Sequence, residues 1–164
     1  MISNALGTST VRLLLLGMLA VAVAGDFSPS ADARARQQAA DDAQASATLT
    51  VRSTRFGRVL FDGRGRALYA FTRDRRGGRS QCYGACAKAW PVYFAKPRLL
   101  AGKGVKQALI GTTRRRDGRR QVTYNGRPLY YYVGDKSPGQ VLCQNVDEFG
   151  GTWLVVRPSG RLVQ

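Results

Sequence analysis

Beyond residue 50 the hydrophobic positions come in short runs broken by turn residues, the pattern of strands rather than of long helices. Val59-Leu60-Phe61, the pair Asp62-Gly63, and Leu68 to Phe71 read as strand, turn and strand. Gln121 to Tyr124, Asn125-Gly126, and Leu129 to Val133 repeat that layout, and Asn-Gly is the strongest two-residue hairpin signal. Alternation places Tyr69 with Phe71 on one strand face and Tyr130 with Tyr132 on the matching one. Pro128 fits only near a strand start or on an edge. Two more hairpins are expected, at Leu109 to Arg114 with an Asp117-Gly118 turn, and at Trp153 to Val156 with Arg157-Pro158-Ser159-Gly160. Tyr83 to Trp90 predicts one short helix, stopped by Pro91.

The two hairpins belong to an internal repeat. Gly65-Arg66-Ala67-Leu68-Tyr69-Ala70-Phe71-Thr72-Arg73-Asp74 matches Gly126-Arg127-Pro128-Leu129-Tyr130-Tyr131-Tyr132-Val133-Gly134-Asp135 in one register, and the same offset carries Cys82 onto Cys143. The expected fold is therefore mainly β, a small α+β domain. Two β-hairpin repeats, at about 57–100 and 109–160, would pack as one compact domain with one or two short helices.

The N-terminal part reads differently. Residues 1–24 have the form of a secretory signal peptide: Arg12, the apolar run Leu13 to Ala24, then the small-x-small exit Ala22-Val23-Ala24. A second Ala-x-Ala at Ala33-Arg34-Ala35 leaves the cleavage position open. The run is shorter than the roughly 20 apolar residues that span a bilayer. The first cysteine is Cys82, so the apolar run is not followed by a cysteine for lipid attachment. Residues 25–50, rich in Ala, Asp, Gln and Ser, read as a disordered linker, leaving 51–164 as a single β-rich domain. The expected product is a soluble protein outside the cytoplasm, where disulfides persist.

Composition narrows the chemistry. The 164 residues include no histidine, which removes Ser-His-Asp and Cys-His catalysis together with His-ligated zinc, haem and blue copper. Glu148 is the single glutamate, so a hydrolase would have to rely on Asp74 and Asp135 alone. The reading is a non-catalytic protein without a cofactor. Lys and Arg number 26 against 10 acids, and between Arg52 and Arg127 the local balance reaches +17. Two loops concentrate it: Arg75, Arg76 and Arg79, and Arg114, Arg115, Arg116, Arg119 and Arg120. Basic loops attract polyanions, so the expected partners are an anionic envelope polymer, a membrane surface or an envelope protein. Neither run carries an aromatic for base stacking and no groove-reading helix is evident, so sequence-specific nucleic-acid binding is not expected. A monomer is expected.

Three cysteines allow one disulfide and leave one thiol, and Cys82, Cys86 and Cys143 permit three pairings. The alternative reading has the three thiolates gather Cu(I) or another soft metal, or act in redox chemistry. The aromatic-acid motif has two readings as well. Tyr69, Phe71, Asp74, Tyr130, Tyr132 and Asp135 either fill the core and close turns, or face a ligand near a pseudo-twofold axis.

The doubled Tyr-x-(Phe/Trp/Tyr)-x-x-Asp motif, the stretch Cys82-Tyr83-Gly84-Ala85-Cys86-Ala87-Lys88-Ala89-Trp90-Pro91 and the later Gly150-Gly151-Thr152-Trp153 resemble the bacterial family called the secreted repeat of unknown function. The likeness runs from about Gly57 to Gly160. It implies an exported or lipoprotein-like protein of the bacterial cell envelope and no particular activity. The chain departs from the family pattern in two places: Val92 stands where a second proline often follows the tryptophan, and the lipidated cysteine many relatives carry is missing.

Overall fold

The computed structural model describes residues 30–46 and 48–164, so the segment 1–24, expected to be a signal peptide, lies outside the described residues. Helix α1, Ala31–Ser46, and the first two residues of strand β1, Leu49–Thr54, stand where a disordered linker was expected over 25–50. Alanine, the strongest helix former, fills much of α1, and the Ser30 hydroxyl accepts the Ala33 amide at its start. Lack of an apolar stripe removes a reason to pack, not the propensity to coil. The folded domain also begins earlier than residue 51, because Thr48, Leu49 and Thr50 are all buried.

Beyond α1 the chain is mostly β, in three small antiparallel sheets. β1 pairs along its whole length with β2, Gly57–Asp62. β3, Tyr69–Phe71, joins β7, Val146–Glu148, and β8, Gly151–Val155, in the order β3-β8-β7. β4, Ile110–Arg114, β5, Arg120–Tyr124, and β6, Arg127–Pro128, follow one another in the third sheet. The short helix α2, Ala85–Ala89, ends one residue before Trp90, as the proline that follows requires. The expected β4–β5 hairpin and the Arg157–Gly160 turn, whose flanks bridge Val156 to Leu162, both form.

The repeat hairpins depart from expectation in an instructive way. Asn125 and Gly126 adopt positive φ (50° and 72°), as a tight hairpin turn demands, and Pro128 sits on an edge strand. Each hairpin, however, stays paired only briefly. After Leu68 donates to the Leu60 carbonyl, and Leu129 to that of Val122, both second strands turn away to meet each other. Tyr69 and Tyr130 exchange a pair of backbone hydrogen bonds, 2.9 Å each, and form an isolated antiparallel bridge. An isolated two-stranded hairpin cannot bury an aromatic face, so each repeat completes the other.

The exchange continues around this point with approximate twofold symmetry. Val156, from the second repeat, accepts the Leu60 amide, and Tyr93, from the first, accepts the Val122 amide, both at 2.9 Å. Tyr69 lies opposite Val155, and Tyr130 opposite Val92. Trp90 and Trp153 stack at the centre, rings 4.0 Å apart and nearly parallel (1°). Around them pack Tyr69, Phe71 and Tyr130, while Leu49, Leu60, Leu68, Val122, Leu129 and Val156 form a second apolar layer.

Candidate functional site

The motif residues close the interface between repeats. Each tyrosine donates its hydroxyl to the aspartate of the other copy: Tyr69 to Asp135 Oδ2 at 2.8 Å, Tyr130 to Asp74 Oδ2 at 2.5 Å. The second oxygen of each carboxylate caps its own loop, Asp74 Oδ1 accepting the Gln81 amide at 2.7 Å and Asp135 Oδ1 the Leu142 amide at 3.0 Å. Burial pushes both carboxyls above the ordinary range, opposed by the tyrosine bond, the amide and a nearby arginine. Burial likewise pushes both tyrosines up, aided by the facing carboxylate. Tyr69, Phe71, Asp74, Tyr130 and Asp135 are almost wholly buried, and Tyr132 is half-buried against Trp90. The motif therefore faces inward, contrary to the reading in which it surrounds a ligand.

Around this centre the two repeats differ. The Trp90 indole donates to Glu148 Oε2 at 2.8 Å, whereas Trp153 Nε1 is buried with no acceptor among the described residues. Cys82 pairs with Cys86 across a Cα–Cα distance of 5.3 Å, reached because Gly84 (φ 56°) bends the chain into α2. Cys143 is left free and buried, its thiol pushed up by burial rather than poised for reaction. The disulfide takes two of the three thiols that the soft-metal reading needs. Among the described residues no group of three His, Cys, Asp or Glu side chains is placed to hold a metal ion.

Arg115, expected in the anion-binding set, lies inside instead, only 4% exposed. Its guanidinium donates to Ser80 Oγ, Gln121 Oε1 and the Cys82 carbonyl at 2.7–2.8 Å. The Ser80 hydroxyl also lies 2.6 Å from the Tyr130 oxygen, whose single proton goes to Asp74, so the arginine joins the Asp74 network and balances its charge. Sequence gives no sign of this: Arg115 sits in a run of three arginines, and charge alone does not distinguish the one that turns inward. The buried partner Gln121 carries only the weak signal of a polar residue beside Val122 in a strand.

Arg115 also fastens the two basic loops to each other. The Thr113 hydroxyl donates to the Gly78 carbonyl at 3.2 Å, and the Arg115 and Arg116 guanidinium carbons lie 4.2 and 4.6 Å from the Tyr83 ring centre. The loops, distant in sequence, thus form one basic region. Arg75, Arg76, Arg79, Arg114, Arg116, Arg119 and Arg120 remain exposed on it. The Asp117–Arg119 contact, 2.7 Å, is the single ion pair among the described residues. No described helix is long and apolar enough to cross a membrane.

Two homologous β units, interlocked about a pseudo-twofold axis and braced by reciprocal Tyr–Asp bonds, define a duplicated β module. A family model described as a secreted repeat of unknown function matches residues 50–93 and 111–157, one segment in each repeat and more than half the chain together. The chain belongs to this family, whose description as secreted places the protein outside the cytoplasm. No curated protein and no solved structure matches the chain.

Proposed function

We propose that the chain is a non-catalytic binding module, exported by removal of its first 24 residues, that holds an anionic envelope component or envelope protein on its basic region. The convergence of the two arginine loops supports this reading above all. Seven arginines from two loops stand exposed together, and the one exposed acid among them, Asp117, is paired to Arg119. Unneutralised like charge in one region raises the local concentration of anions and speeds their capture. The motif core supplies rigidity, since its polar groups are engaged with one another.

Binding to anionic vesicles and to polyphosphate tests the reading. Affinity is expected to fall steeply between low and moderate salt. A variant with Arg75, Arg79, Arg116 and Arg120 changed to Gln should lose most of it. A control with Arg52, Arg58 and Arg161 changed to Gln, exposed residues outside these loops, should retain it. Salt-insensitive binding, or equal loss in both variants, would overturn the proposal.

A further inference from the structure

β4 is an edge strand with an open side. In the order β4-β5-β6 it pairs, among the described residues, only with β5. The Arg115 amide bonds to the Arg119 carbonyl and the Asn125 amide to the Leu109 carbonyl. Antiparallel pairs alternate, so Gly111 and Thr113 direct their backbone groups at β5, while Thr112 and Arg114 direct theirs outward. The amides and carbonyls of Thr112 and Arg114 have no hydrogen-bond partner among the described residues. The Ile110 amide, by contrast, is already bound to the Gln107 carbonyl.

Two clefts flank this edge and share Gly111 and Thr112 as a common wall. One, about 680 Å³, is bounded by Phe94, Pro97 and Leu99 with Lys96, Arg119 and Arg120. The other, about 560 Å³, lies beside Leu109 and Ile110 with Arg76 at its rim. Among the described residues neither has an acidic side chain in its wall. Arg114 and Arg120 are direct cross-strand neighbours in a non-hydrogen-bonded pair, where side chains stand closest and like charges repel. An anion between them would relieve that repulsion.

We propose that β4 takes up an extended acidic peptide from a protein partner as an added strand. Its backbone would pair with Thr112 and Arg114, its carboxylates would meet Arg114 and Arg120 on one face of the sheet, and its alternate apolar side chains would lie on the other, toward the cleft beside Leu109. The proposal rests on the basic-region reading and identifies which kind of anion that region selects. Charged residues on an edge also deter aggregation, and the test separates guarding from binding.

The experiment titrates the whole exported chain with a capped hexapeptide alternating glutamate and valine, and separately with polyphosphate of equal charge. Two N-methylated peptides accompany it, one blocked at the amides of one face and one at those of the other. Strand addition predicts that one pattern weakens binding by about tenfold or more while the other leaves it within about twofold. It also predicts that the Thr112 and Arg114 amides exchange hydrogen rapidly alone and slowly with peptide. If both patterns act alike, or the two amides stay unprotected, peptide binding is by charge alone and the inference falls. Polyphosphate binding without peptide binding also sinks it, yet leaves the basic-region reading standing. Failure of both ligands to bind overturns the two together.

Discussion

Each motif tyrosine donates its hydroxyl to a carboxylate that belongs to the other repeat, and burial holds both carboxyls above their ordinary 3.8. Between 3.8 and the raised value, the folded chain binds protons that the unfolded chain has released. The contribution of these groups to stability is therefore complete below 3.8 and declines as pH climbs through the folded value. The tyrosine bond counters this by favouring the ionised form. Tyr130→Phe should accordingly cost about 1–3 kcal/mol near pH 7 and clearly less near pH 4, where Asp74 accepts the bond as a neutral acid. Thermal melts of both proteins at the two pH values measure the gap, and an equal gap would mean that the hydroxyl does not serve the charge. The sequence displays both copies of this motif and their register. It does not display the crossing of partners, because spacing along a chain says nothing about which aspartate a tyrosine reaches.

At the scale of elements, the turns were the most legible part. Asn125-Gly126, Arg157–Gly160 and the Pro91 stop of α2 each follow from local backbone preference, and each forms. Strand partners were less legible, since β3 leaves β2 for β8 to bury its aromatics against Trp153. Helix α1 was missed for the opposite reason: without a core-facing stripe, an alanine-rich segment resembles a linker in pattern though not in propensity. The disulfide joins residues only four apart, so it closes a small loop. In the loop-entropy description, Cys82→Ser with Cys86→Ser should cost about 2 kcal/mol, less than a staple from either residue to Cys143 would supply. Urea unfolding of the double variant checks this, and a much larger loss would show that the bond also shapes the Arg115 site beside it.

On the scale of the molecule, neither repeat carries a complete core. Trp153 covers Phe71, Trp90 reaches Tyr132, and the Tyr–Asp bonds all run between copies. Fragments 48–100 and 101–164 should each lack cooperative unfolding alone and recover the strand spectrum on mixing, as circular dichroism of the separate and combined pieces would report. A fragment that melts cooperatively by itself would contradict the interlocked core. Reciprocal bonding of this kind is also how two identical half-length chains would meet about a true twofold axis. In such a pair every change in a loop is made twice. Once the halves are joined in one chain, that constraint is gone: Arg75, Arg76 and Arg79 can gather on one loop while Lys136, Ser137 and Gln140 occupy the matching positions of the other. Fusion of the halves thus permits a division of labour, one loop free to gather three arginines while its twin carries a single lysine at the matching positions.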